Sequence, residues 1–340
     1  MNRILYRIVI AFICLLCFEQ AHGQGMHFSQ FFNAPMLLNP ANTALMPDHD
    51  YRVGMNYRKQ WGSVPVPYTT TSVFADCQLM RNKNLTNWLG LGLAVWNDKA
   101  GLGELSLTRV EGFVAYHVQL GESSMISAGL SLASVQRTVD FNKLSFDRQW
   151  DGFMFNGGLP SGESDYVMKT NFSDIGAGIN YAYFPNEFTY LKVGFGLAHL
   201  TQPKETFYNQ ENKLGLRPTA NVDLLLQLSR SVILNPSIYY TEQKSAREAL
   251  IGTLLQVDVS NNDADDMQLI LGAFNRVNES VVGNVGLSIN DLRIMSSYDF
   301  TISSLGQAIK GRGAFELSII YNGYYNSFSR GRRSYNCPRF

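Results

Sequence analysis

A side-chain period of two recurs along most of this chain, and it narrows the possible folds more than any other feature. Tyr51 to Trp61 sets the pattern: Tyr51, Val53, Met55, Tyr57 and Trp61 share one parity, while Arg52, Gly54, Asn56, Arg58 and Gln60 share the other. A strand sends alternate side chains to opposite faces. The segment therefore has an apolar face with an aromatic at each end, and a polar face. In a water-soluble sandwich the apolar face would look inward. In an outer-membrane barrel it looks outward to lipid, with aromatics at the two interfaces.

Counting this one, the alternation occurs in about fourteen segments. It runs through 69–79, 89–95, 109–120, 126–132, 175–183, 191–197, 220–228, 232–240, 249–259, 267–273, 281–289, 292–302 and 315–321. Pro236 interrupts one segment and suggests a bulge or bend. An even number of such segments is the signature of an antiparallel transmembrane β-barrel. The links support it. Those at even positions (Gly121-Glu122, Pro185 to Glu187, Ser229 to Ser231, Asn290-Asp291) are short, with Ser260 to Asp266 the exception. The two long links, 141–172 and 201–215, fall at odd positions. The polar face is rich in Gly, Ser, Thr and Asn, which would make a poor core, so the apolar face is the one that meets lipid.

Composition agrees: charged residues are 16% and aromatics 12%, against roughly a quarter charged in soluble proteins. The formal net charge is zero, which removes a broad electrostatic case for nucleic acid. Arg3 and Arg7, the apolar run Ile8 to Phe18, and Ala21-His22-Gly23 read as a secretory signal with cleavage before Gln24. The run is shorter than the ~20 residues a spanning helix needs. The expected organisation is a signal peptide (1–23), an N-terminal periplasmic or lumen-plug segment (24–48), the barrel (49–325) and a periplasmic tail (326–340). In 24–48, Pro35, Pro40 and several turn formers argue against a regular element, and the aromatics suggest that it packs on something. Cys77 and Cys337 would be exported to an oxidising compartment, where a disulfide is allowed; their pairing stays open.

Little in the chain suggests catalysis. No two of the five histidines sit at metal-ligand spacing, and Asp263, Asp265 and Asp266 lack the rest of a calcium loop. There is no nucleophile elbow or phosphate-binding loop. His117 and His199 lie on polar strand faces, and neither can be paired with a serine from the sequence. No enzyme activity, cofactor or metal is assigned. Arg52, Arg58 and Lys59 cluster on the first strand, where they would line the lumen and meet acids such as Asp76; ordinary lumen charge balance explains them better than an anion-selective site does.

Several short motifs carry a resemblance. Gln30 is followed by Asn39-Pro40-Ala41 and then by Tyr57-Arg58-Lys59-Gln60-Trp61. Near the other end stand Ser297-Tyr298-Asp299-Phe300-Thr301-Ile302-Ser303 and Phe315-Glu316-Leu317-Ser318, and the chain finishes on Cys337-Pro338-Arg339-Phe340. In this order they resemble the PorP/SprF family of type IX secretion system membrane proteins. The resemblance implies an outer-membrane barrel of the secretion and gliding machinery. Its partners would be a secreted surface adhesin, or the adhesin's C-terminal domain, and a periplasmic peptidoglycan-binding protein, with the lipid bilayer around it. It makes Asn39, Pro40, Ala41, Tyr57, Arg58, Gln60, Trp61, Tyr298, Asp299, Cys337 and Pro338 candidate structural or docking residues. The long loops would face the secreted partner, and residues 24–48 and 326–340 the periplasm. The alternative is a passive channel or small-molecule transporter with an N-terminal hatch.

Overall fold

The computed structural model describes residues 28–46, 48–62, 67–82, 86–163, 168–207, 212–260, 266–303 and 313–325. Among them fourteen antiparallel strands close into a barrel. They are β1 (Tyr51–Gln60), β2 (Tyr68–Leu79), β3 (Asn87–Ala100), β4 (Leu105–Leu120), β5 (Ser124–Thr138), β6 (Lys169–Asn186) and β7 (Thr189–Ala198). The second half is β8 (Arg217–Ser229), β9 (Val232–Gln243), β10 (Ala246–Asp258), β11 (Met267–Arg276), β12 (Ser280–Ile289), β13 (Leu292–Thr301) and β14 (Ala314–Gly323). Each strand pairs with its sequence neighbours, and β14 closes on β1 with Tyr51 opposite Gly323 and Gln60 opposite Ala314. No described helix is long and apolar enough to cross a membrane; the crossing elements are strands, whose backbone groups are satisfied only by closure.

The period of two now has a physical meaning. Val53, Leu93, Leu130, Ile179 and Val285 point out of the barrel and are exposed, while the alternate residues Asn56, Ser72, Ser131, Asn180 and Asn284 point in and are buried. Leu130, near the middle of β5, keeps 55% of its surface exposed. In water such a belt would be a severe liability; in hydrocarbon it is the solvated face.

Both long links, between β5 and β6 and between β7 and β8, leave at one end of the barrel, here the long-loop end. The tight connections at Gly121, Phe188, Arg230 and Asn290 lie at the short-turn end. Some sequence-based bounds shift. β5 runs to Thr138 and β6 starts at Lys169, so the loop expected at 141–172 is 139–168, with its own short turns Phe141–Lys143 and Asp147–Gln149. The outward positions at these strand ends, Ser134, Gln136, Asn171 and Ser173, are polar, so the apolar alternation that marks a strand stops before the strand does. The longer link at Ser260 to Asp266 falls largely outside the described residues. Pro236 makes no bulge: Asp223 faces Ser237 and Leu226 faces Leu234 in one register, and the shift comes later, between Gln227 and Ser229. Proline lacks an N–H, and the Leu224 carbonyl, opposite Pro236, instead accepts from Asn235 Nδ2 at 2.8 Å.

Placing arginine at Leu130 should cost about 2–4 kcal/mol, the range for a cation at the bilayer midplane. Reversible denaturant unfolding in lipid vesicles measures it. A loss below about 1 kcal/mol would mean that Leu130 does not face hydrocarbon.

Candidate functional site

The lumen is occupied by the chain's own segment 28–46. Its sequence forbids long elements: Pro35 and Pro40 each fix the first turn of a short helix, Pro35–Leu38 and Pro40–Asn42. Asn39 stands between them, and its side chain accepts from the Ala41 N–H at 2.9 Å, the hydrogen bond of a helix N-cap. Met36, Asn39, Ala41 and Thr43 are buried, so their backbone groups need protein partners.

The wall supplies them. Asn39 Nδ2 donates to Asn180 Oδ1 at 2.8 Å and to the Ile179 carbonyl at 3.1 Å, and Asn180 Nδ2 returns a bond to Asn42 Oδ1 at 2.9 Å. The Ala44 N–H donates to Asp76 Oδ2 at 2.6 Å, and Trp88 Nε1 to the Ala44 carbonyl at 2.9 Å. His117 Nε2 donates to the Thr43 carbonyl at 2.8 Å. A carbonyl only accepts, so Nε2 carries the hydrogen and Nδ1 accepts from Ser127 Oγ, also at 2.8 Å. Glycines on the wall make room: a Cβ at Gly178 would collide with Asn39 Oδ1, and one at Gly129 with the Pro40 backbone.

Toward the long-loop end the segment meets a buried ion cluster. Arg58 Nη1 donates to Ser29 Oγ at 2.7 Å and to Glu316 Oε2 at 3.0 Å, and Nη2 to Asp299 Oδ2 at 2.9 Å. Arg276 Nη2 also donates to Ser29 Oγ at 2.7 Å, and Ser29 Oγ donates to Asp299 Oδ2 at 2.7 Å. The Ser29 hydroxyl thereby fills two acceptor positions and its one donor position. The Glu316 carboxylate accepts the backbone N–H groups of Ser29 and Gln30, both at 2.9 Å. Arg276 Nε lies 3.0 Å from Glu248 Oε1. Below this cluster Phe31 stacks on Tyr239 and meets Phe274 edge-on, with ring centroids 5.4 and 5.8 Å apart. A second cluster, Arg109 with Glu111 and Asp174, and His199 on Asp174 at 2.8 Å, sits beneath the long loops.

The structure separates the candidate residues. Asn39, Pro40 and Ala41 belong to the plug. Arg58 and Asp299 meet each other in the ion cluster. Gln60 lines a cavity of about 230 Å³ at the long-loop mouth. Tyr57 and Tyr298 have the outward parity, and Trp61 lies just beyond β1, edge-on to Tyr68 at 5.2 Å. Cys337 and Pro338 lie outside the described residues, and with them any pairing of Cys77. Arg52 does meet Asp76, at 2.5 Å, but Lys59 is exposed on the outward parity and leaves the lumen group. The Ser127 partner of His117 escaped sequence reading, although the pairing of β4 with β5 places the two directly opposite. Ser127 is buried and the other ring nitrogen is bound to the plug, so the pair helps to hold the plug. Arg276 and Glu248 were also missed; each is an ordinary polar position until the barrel closes.

These features define a plugged outer-membrane β-barrel. Among solved structures the chain is similar to the toluene transporter TbuX of Ralstonia pickettii, at 10% identity and TM-score 0.54, covering 86% of this chain and 94% of that one. It is also similar to the toluene transporter TodX of Pseudomonas putida, at 11% identity and TM-score 0.50, covering 85% and 92%. No curated protein matches. Residues 21–321 match the model of the type IX secretion system membrane protein PorP/SprF family, and the chain belongs to that family.

Replacing Arg58 by leucine should destabilise the barrel by about 3–5 kcal/mol, because Asp299 and Glu316 lose the cation that compensates their burial. The same variant should become cleavable within residues 28–46 by added protease. Unchanged stability and unchanged resistance would show that the cluster does not anchor the plug.

Proposed function

We propose that this outer-membrane component of the type IX secretion system docks a secreted surface adhesin, or its C-terminal domain, at the long-loop end, and so helps to export or anchor it in the secretion and gliding machinery. In this reading the signal peptide is 1–23, the long loops are extracellular, and a peptidoglycan-binding periplasmic protein meets the short-turn end. Asn39, Pro40, Ala41, Arg58 and Asp299 hold the plug; Tyr57, Trp61 and Tyr298 seat the barrel in the bilayer.

One observation carries the docking reading. The loop between β5 and β6 folds into a small hairpin closed by the bridge Trp150–Phe155. Asp151 Oδ1 accepts the N–H groups of Met154 and Phe153 at 2.7 and 2.8 Å, and these bonds hold its carboxyl below the usual carboxylate range. The hairpin leaves Phe153 93%, Met154 62%, Trp150 58% and Phe155 47% exposed. Large apolar side chains held in one ordered turn, in water and beyond the lipid-facing strands, are the kind of anchor that dominates protein interfaces. The filled lumen argues against a passive channel. The channel reading keeps one specific support: cavities of about 230 Å³ and 220 Å³ lie at the two ends of the plug.

Gentle purification from the native outer membrane should bring down a secreted adhesin in stoichiometric amount. Changing both Trp150 and Phe153 to serine should reduce its recovery at least roughly tenfold, as expected for hot-spot aromatics, without changing the barrel's thermal midpoint. A barrel that emerges alone and conducts solutes in liposomes would favour the channel.

A further inference from the structure

At the short-turn end, between the plug and the wall of β7 to β14, lies a second cavity of about 220 Å³. Its apolar lining comes from Phe32, Leu38 and Leu45 of the plug and from Leu225 and Leu254 of the wall. Its polar lining includes Arg293, the amide side chains of Asn235, Gln256 and Asn322, and the acids Asp48 and Asp223. Asp48, His49 and Asn322 stand where the chain enters and leaves the barrel, so the cavity is reached from the short-turn end.

The charges of this wall are paired, apart from Arg293. Arg52 binds Asp76, Lys192 lies 3.3 Å from Asp223, and His49 lies 3.6 Å from Asp291; Asp48 is engaged as well. Arg293 makes no hydrogen bond or ion pair with any described residue, its Nε is buried without an acceptor, and the charge that acts on it is that of Arg52, of the same sign. A guanidinium presents five donors in a planar fork that matches a carboxylate. Every other lumen arginine named so far has a carboxylate beside it. Keeping a cation unpaired in a barrel wall is unfavourable, and a purely structural role would not require it.

We propose that this cavity binds a small organic acid, with the carboxylate on Arg293 and a compact apolar body against Phe32, Leu38 and Leu45. The unpaired cation and the apolar lining select the two halves of such a ligand. The amides of Asn235 and Gln256 add neutral donors, and the volume suits a body of a few carbons rather than a long chain. The site lies at the opposite end of the plug from the aromatic hairpin, so it stands or falls independently of adhesin docking.

The test is calorimetric titration of the purified full-length barrel in detergent with isocaproate, with its uncharged isostere isocaproamide, and with inorganic phosphate. Isocaproate should bind, and the amide at least roughly tenfold more weakly, since a charge-assisted fork is lost. Arg293→Gln should weaken isocaproate by roughly ten- to hundredfold. It should leave the thermal midpoint of the ligand-free barrel equal or higher, because it removes an unpaired charge; an arginine needed only for structure would lower it. Arg293→Lys keeps the charge without the fork, folds more safely, and should bind with intermediate strength. Four results would overturn the assignment: no binding of isocaproate, equal binding of acid and amide, binding unchanged in both variants, or phosphate binding as tightly as isocaproate.

Discussion

Strands in hydrocarbon must hydrogen-bond their backbones to one another, because lipid offers no partner. Closure of β14 on β1 meets that demand, and the rest of the structure depends on it. Once the ring is closed and its apolar side chains face lipid, the polar side chains have nowhere to go but the lumen. Asn56, Ser72, Asp76, Asn180, Asp299 and Glu316 are all buried there. Buried polar groups require partners, and segment 28–46 supplies many of them. The plug is thus a solution to a satisfaction problem: its backbone N–H groups at Ser29, Gln30 and Ala44 go to Glu316 and Asp76, and its carbonyls at Thr43 and Ala44 go to His117 and Trp88.

The ion cluster sets the register of the plug more than it adds raw stability. Desolvating two arginines and three carboxylates consumes most of the Coulombic gain, and a well-packed apolar replacement is often as stable. What an apolar replacement cannot do is choose one position for a plug that could otherwise slide. Ser29 is held by Arg58, Arg276 and Asp299 at once, and Asn39 by Asn180. Directional bonds at two heights fix both depth and rotation. The aromatic stack of Phe31 on Tyr239 supplies the apolar contact between them.

How much of this was legible in the sequence follows from what each position encodes. Outward positions such as Val53, Leu130 and Val285 carry a strong signal, because lipid demands an apolar residue at every second place, and the strand number and the order of long and short links came through. Inward positions carry little. Arg58 and Asp299 both stood out, yet nothing local links residues 241 positions apart in the chain; the link appears only when β1 meets β14. Lys59 was assigned to the lumen by proximity to Arg58, although its own parity placed it outside. The extent of β5 and β6 was hidden for the complementary reason: at Ser134, Gln136, Asn171 and Ser173 the outward positions turn polar, and the apolar period of two fades where the strand does not.

The plug is tied at its two ends in different ways, and this shapes what the barrel can do. At the short-turn end it runs covalently into β1, with Asp50 already bonded to the Gly323 carbonyl. At the long-loop end, among the described residues, the hydrogen bonds of Ser29 and Gln30 hold it. Weakening that outer anchor would free the leading residues while the segment near Ala44 stayed fixed by Asp76, Trp88 and His117. A ligand on the long-loop side could shift the plug only by binding the released form more tightly than the seated one. The aromatic hairpin lies in a loop at that same end, above the cluster of Arg109 and Asp174 and not on the plug itself, so contact there need not disturb Ser29. A stationary plug under an exposed aromatic loop is the arrangement that the proposed docking role requires, since contact at the loop would leave the lumen closed.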